Sequence, residues 1–577
     1  MSRILDEQVH RDHREKLLNR AIHRLKKRAS LSGDSYVSET DRITRLTFRS
    51  TSNNDLTEEL RIPGGTLCLR PEQSAALEQI REHGGGFFPI GVGFGKSFIA
   101  LLAGQVLGVQ RTLILAPAST LSTLEATRLW LTEHFRVPPM RVLSFASLSR
   151  VGGSDLLQEY KPDLIVADEA HKLKHLTSVR TRRIIRYFRE NPDTAFVALS
   201  GTMTSKRIED FAHLAELSLR ENSPVPRDRH HINAWANCID VDGQPSHRDW
   251  RLVSKLSEWA GLGELRGAGR QKKARQAFRK RLETCPGVVC THESSIGTSL
   301  LLHVLRDIQL PDVVKRALQT VSAGEDPDGN VLEDDVAVWR AARQVSCGYY
   351  YRWVWPGGVP DFDWLDARNK WRRYVSKELE SRAEYGYDSP LLVANRISKE
   401  AEEGRRIIHR AWLGWAAQKH KDAPPVEAVW LDYYLVDKAV EFLKQYPGSI
   451  LWYESKAVEE ALRDRGVKCF GAGRDPGNTG ESCAMSIRAH GIGKNLQSWS
   501  TQLIIEPPSS GEAWEQLLGR THRSGQEADE VEVFVIQHTE SFRRALKSAK
   551  EGAEYIEEST GNKQKLNFLT ENEHGIF

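Results

Sequence analysis

The sequence predicts an α/β fold of two parallel-sheet units in tandem with helical insertions between them, and three observations carry that expectation. Short β-rich runs alternate with helical segments from Leu67 onward. Four of those runs end in a glycine-rich or polar cluster, where parallel sheets place their ligands. The alternation stops near residue 225 and resumes near Val426. Length agrees, since 577 residues at about 150 per domain suggest roughly three to four domains.

Residues 1–62 read as a basic N-terminal helix and linker. Arg, Lys and His crowd the first 30 or so positions, and Leu17, Leu18, Ala21, Ile22 and Leu25 fall at helical spacing before a polar stretch over 30–54. The first sheet unit is expected over 63–300, with a turn and strand at 84–90 and strands at 112–116, 142–145, 164–167 and 195–199. A helical protrusion begins at about residue 225, and 301–425 reads as a helical, Trp-rich insertion and linker. The second unit and a C-terminal tail occupy 426–577, with helices at 431–442 and 459–465 and strands at 449–453, 483–486, 502–505 and 531–535.

Global charge says little, because 81 basic and 77 acidic side chains leave a net charge of +4. The basic residues nevertheless cluster, at 11–27, 180–189, 270–281 and 368–373. Seven cysteines without a paired framework point to a reducing compartment, and no apolar run approaches the roughly 20 residues of a membrane span. The first residues lack a secretory signal, so a cytoplasmic protein of a bacterial or phage-infected cell, with no membrane partner, is expected. Cys285, Cys290 and His292 raise a zinc question, but no fourth ligand lies nearby in sequence.

Three clusters carry chemistry. Gly91, Val92, Gly93, Phe94, Gly95, Lys96 and Ser97 form a turn whose backbone N–H groups can cradle phosphates, with Lys96 for their charge and the Ser97 hydroxyl for Mg²⁺. The strict pattern wants glycine five positions before Gly95, where Ile90 stands. Asp168 would share the metal and Glu169 would polarise an attacking water. Gln516, Arg520 and Arg523 arrive from a distant part of the chain, the arginines suited to neutralise charge on a transferred phosphoryl group. The cofactors implied are ATP and Mg²⁺.

These residues resemble helicase superfamily 2, and within it the Swi/Snf-like DNA translocase branch (DEAH-box ATPases). Asp168-Glu169-Ala170-His171 is similar to its second motif, 199–204 to its third, 486–497 to its fifth, and Gln516 to Gln526 to its sixth. The resemblance implies two RecA-like domains closing on ATP, with Arg70 and Gln73 at the adenine, Gly493 reaching the nucleotide, and hydrolysis coupled to movement on duplex DNA. A motor of this layout grips a phosphate backbone, for which Ser119, Thr120, Thr202, Lys206, Lys494 and Asn495 are candidates. Ser119 and Thr120 also suit capping of the next helix, and Lys206 a solvated surface. Single-stranded or forked DNA, or RNA, stays open as substrate, as do a strand-separating or annealing helicase and an ATP-switched clamp. A monomer is expected. Where the family places Trp-Asn-Pro after an acidic residue, this chain has Glu506-Pro507-Pro508-Ser509-Ser510. The aromatic run 349–355, with Trp364 and Trp371, suits base stacking or, more simply, a small core of its own.

Overall fold

The structure, a computed structural model, describes residues 38–573 apart from 51–53, 92, 151–152, 204–205, 268, 292–297, 333, 383–388, 404–409, 492 and 524. The expected basic helix near the N-terminus, Val92, His292 and Ser524 lie outside the described residues. The chain is mixed α/β, with parallel sheets and many helices.

Five strands make the first sheet: β1 (Gly86–Pro89), β2 (Thr112–Ala116), β3 (Met140–Ser144), β4 (Leu164–Asp168) and β5 (Ala195–Ser200). They run parallel in the order β1-β5-β4-β2-β3. Alternate residues feed opposite layers. Phe87, Leu113, Ile165 and Phe196 enter one apolar cluster, while Phe88, Ile114, Val166 and Val197 enter the other. A sheet covered on both faces explains why these strands read as continuous apolar runs. Helix α1 (Pro71–His83) starts at a proline, whose fixed φ suits the first turn, and ends on Gly84 at φ 69°. Helix α2 (Lys96–Leu107) follows β1 through the glycine turn.

The protrusion consists of α3 (Arg229–Ile239), α4 (His247–Trp259) and α5 (Arg270–Glu283). It is fused to the first unit, because Trp235, Trp250 and Phe278 share one cluster with Phe87 and Phe196.

The second sheet contains seven strands. They are β6 (Ser299–Leu305), β9 (Ile450–Tyr453), β10 (Cys469–Phe470), β11 (Cys483–Ser486), β12 (Thr501–Ile504), β13 (Glu530–Ile536) and β14 (Thr570–Glu573), all parallel, in the order β10-β11-β9-β12-β13-β6-β14. Strand β6 lies in full register with β13, so the boundary expected at residue 300 falls inside a strand of the second sheet. The Trp-rich segment is therefore inserted within the second unit and does not link the two. Its ends are held by β7 (Tyr349–Trp353) and β8 (Val426–Trp430), an antiparallel pair in a region where no strand was expected. Between them lie α6 (Phe362–Arg382), α7 (Pro390–Glu402) and α8 (Arg410–Gln418). Trp364 meets Trp353 at 5.6 Å and Trp355 at 6.0 Å between ring centroids, and Trp371 meets Trp412 at 5.2 Å. These rings build a small core of their own.

After α9 (Gly511–Thr521) and β13, the long helix α10 (Glu540–Thr560) returns to the first unit. Tyr555 of α10 is fully buried in the first unit's cluster, and its hydroxyl donates to Asp240 Oδ1 at 3.1 Å. No described helix is long and apolar enough to cross a membrane.

Candidate functional site between the two units

The glycine turn between β1 and α2 is held from several directions. Gln73 N–H groups reach the carbonyls of Phe94 and Gly95, both at 3.2 Å, and its Oε1 accepts from Arg70 N at 2.9 Å. Arg70 Nη1 donates to Gly93 O at 2.9 Å. The two residues expected at an adenine thus stand beside the turn, with their polar groups engaged in holding it. Gly95 has φ 71°, and a Cβ there would lie 2.2 Å from Gln73 Nε2, so only glycine fits. Gly91 N donates to Thr291 Oγ1 at 2.8 Å. The ammonium of Lys96, 9 % exposed, donates to Ile90 O at 3.1 Å and Gly91 O at 3.2 Å and lies 3.9 Å from Glu169 Oε1.

The carboxylates sit at the carboxyl end of β4. Asp168 closes the strand, and Glu169 adopts φ 62° and ψ 55°. A non-glycine residue in this left-handed region costs about 1–3 kcal/mol, a strain typical of functional sites. The turn aims Glu169 at Lys96 on one side and His171 on the other, with Glu169 Oε2 3.2 Å from His171 Nδ1. Burial raises the Asp168 carboxyl above its ordinary range, and the charge of Glu169 adds to the effect. Burial pushes Glu169 upward too, but Lys96 and His171 outweigh it and leave this carboxyl below its usual range. His171 accepts or donates at Ser200 Oγ, 3.0 Å away, and its Nε2 lies 2.7 Å from Glu512 Oε1 of α9. Burial alone would lower the His171 pKa, yet Glu512 and Glu169 outweigh it and hold it above the ordinary imidazole value.

The second unit supplies the arginines. Arg520 is 6 % exposed, and its Nε donates to Gln516 O at 2.9 Å while Nη1 donates to Lys494 O at 3.1 Å. Burial lowers its guanidinium to about 10, Arg523 contributes in the same direction, and Glu169 opposes both. That last effect places Arg520 within electrostatic reach of the first unit's carboxylate. Arg523 donates to Asn495 Oδ1. Lys494 Nζ pairs with Asp475 at 2.8 Å. Gly493 has φ 82° and abuts the other unit, where a Cβ would stand 2.5 Å from Thr120 Cγ2.

No protein-family model and no curated protein matches this chain.

A turn of glycine N–H groups followed by a buried ammonium suits a chain of phosphates. The oxygen donors Ser97 and Asp168 are of the kind that a hard divalent cation takes. Three of the expected nucleic-acid contacts have polar groups engaged within the protein. Thr202 is 1 % exposed, and its N–H donates to Ser200 Oγ at 3.2 Å. Lys206 donates to Ser548 Oγ at 3.0 Å and pairs with Glu551 at 3.4 Å, both on α10. Thr120 Oγ1 donates to Pro117 O at 2.9 Å, closing the short turn that holds Ser119.

Burial pushes the thiols of Cys285 and Cys290 up to about 12, and the Cys285 thiol donates to Asn222 O, which does not suit thiolate ligands. Among the described residues, Asp228, His230 and His231 stand close enough to hold a metal. Asp228 is already engaged as the N-cap of α3, at the positive end of that helix.

Sequence reasoning missed three residues of the seam. Glu512 lies four positions before Gln516 on one helix, a spacing that could have exposed it. Thr291 and Asn562 could not be found that way. Asn562 donates to Gly201 O at 3.2 Å and faces Thr291 Oγ1 at 3.4 Å, joining three distant parts of the chain.

Proposed function

We propose that this protein is an ATP-dependent DNA translocase, with two RecA-like units that hydrolyse ATP at their seam and convert closure into movement on duplex DNA. The observation that carries the reading is the contact across the seam between His171, which stands beside Glu169, and Glu512 of α9, the helix that also bears Arg520. A site divided in this way gains its full set of charges only when the units close. The preference for duplex DNA rests on the likeness of the sixth motif, at Gln516 to Gln526, to the Swi/Snf-like branch.

In this reading the turn at Gly91, Gly93 and Gly95 receives the phosphates and Lys96 meets their charge. Ser97 and Asp168 would hold Mg²⁺, which when bound screens the phosphate oxygens. Glu169 polarises water, and the lowering of its pKa, in which Lys96 and His171 outweigh burial, favours the ionised form needed for that task. Arg520, pinned by two main-chain carbonyls, meets developing charge with little reorganisation. Gly493 against Thr120 brings the segments bearing Ser119, Lys494 and Asn495 to one seam, so a phosphate backbone lying across it would feel closure from both sides.

The test is ATP turnover with and without duplex DNA, beside triplex displacement and strand unwinding on one preparation. The proposal expects DNA-stimulated turnover and triplex displacement without unwinding. Unwinding would assign a strand-separating helicase, and turnover indifferent to nucleic acid would refute the motor.

A further inference from the structure

We infer that Glu512 is a positioning residue: supplied by the second unit, it holds Glu169 of the first through His171, so that the carboxylate is aligned only while the two units are closed. This rests on the hydrolytic reading above and adds to it a means of regulation. The chain of contacts is short and buried. Glu512 Oε1 lies 2.7 Å from His171 Nε2, and His171 Nδ1 lies 3.2 Å from Glu169 Oε2. The second oxygen of Glu512 accepts from Lys174 Nζ at 3.3 Å, and the second oxygen of Glu169 faces Lys96 at 3.9 Å. His171 is 2 % exposed and Glu512 7 %, so water is a poor substitute for either partner.

An imidazole can donate to carboxylates on both sides only with a proton on each nitrogen. When α9 moves away, the buried ring loses the carboxylate beside Nε2 and Lys174 loses its carboxylate in the same step. The ring then keeps Nδ1 near Glu169 through Ser200 alone, and the remaining charged neighbour of Glu169 is Lys96. Ser200 joins the same node, since its Oγ donates to Glu169 Oε2 at 3.3 Å and stands 3.0 Å from His171 Nδ1. Removal of the second unit therefore disturbs the carboxylate and the turn after β5 together. Glu512, Gln516 and Arg520 recur every four residues on α9, so a single helix face delivers both the arginine and the residue that sets its opposite number.

The test uses the full-length protein and three measurements. Steady-state hydrolysis of MgATP at saturating duplex DNA gives kcat and KM for wild type, Glu512→Gln and Glu512→Ala. Amide hydrogen exchange reports on residues 168–174, and thermal melting reports on stability. Glu512→Ala is expected to lower kcat about tenfold or more with KM within about threefold, and to speed exchange at 168–174. Glu512→Gln keeps a side-chain oxygen beside Nε2, so it should recover part of the loss. A melting temperature that falls while kcat stays at the wild-type value would make Glu512 a mere brace and overturn the inference. If the wild type hydrolyses nothing, the proposed activity fails, and exchange still decides the positioning: faster exchange at 168–174 in Glu512→Ala supports it, unchanged exchange refutes it.

Discussion

At the seam Glu169 and His171 of the first unit are flanked by charged side chains, one of them from the other unit, whereas Arg520 of the second unit is held by main-chain carbonyls. Lys96, Glu169 and His171 form a line of alternating charge whose far end is Glu512 of the other unit. Arg520 is fixed by Gln516 O and Lys494 O, inside its own unit. One wall is thus adjustable and completed from outside, and the other is preset. A divided site of this kind can be switched by closure without rebuilding either half.

The largest expected effect is on the adjustable wall. Lys96→Ala should lower turnover by about 10³-fold and weaken nucleotide binding as well, because the ammonium meets the phosphates before and during reaction. Retained affinity with lost turnover would mean that Lys96 does not touch bound nucleotide. On the preset wall, Arg520→Ala should lower kcat about 10²-fold while nucleotide affinity stays within a few fold. Arg520→Lys should not restore it, since one ammonium cannot keep both carbonyl contacts and a free fork. A parallel loss of affinity would erase the distinction between the walls.

Away from the seam, Trp412→Ala should destabilise the inserted helices by about 3 kcal/mol, read as faster amide exchange in α6 and α8. ATP turnover should stay within about twofold, because the Trp371 and Trp412 pair belongs to a core separate from both sheets. A large loss of turnover would show that the insertion is coupled to the site.

The smallest effect concerns the tether between α10 and the first unit. Burial, partly offset by the Ile208 N–H and the Tyr555 hydroxyl, raises the Asp240 carboxyl to about 7. Its folded value exceeds the unfolded one, so this group's contribution is complete below about pH 4 and is lost as pH rises through about 7. The slope is at most about 1.4 kcal/mol per pH unit in that window. Melting of Asp240→Asn should depend less steeply on pH than that of wild type, and equal slopes would remove Asp240 from the tether.

Much of this was legible in the sequence. The five strands of the first sheet and most of the second announce themselves because both faces are covered, so nearly every residue is apolar. The glycine turn was legible from residue type, since only glycine accepts the conformation at Gly95 beside Gln73. Strand β6 was not, because its partner β13 lies more than two hundred residues later and the helical insertion hides the continuity. The tryptophans between Tyr349 and Trp430 showed their mass but not their partners. The crossing contacts of Asn562 and Lys206 are single polar side chains from distant parts of the chain, and no local pattern marks them. Lys206, a candidate phosphate-backbone contact with a solvated surface as the alternative, is instead engaged by α10.

The most direct test compares Glu169→Gln with wild type, measuring nucleotide affinity and DNA-stimulated ATP turnover on the same samples. The divided-site account expects turnover to fall by about 10²-fold or more with affinity kept, since the amide cannot polarise water as the carboxylate does. Wild-type turnover in Glu169→Gln would contradict it.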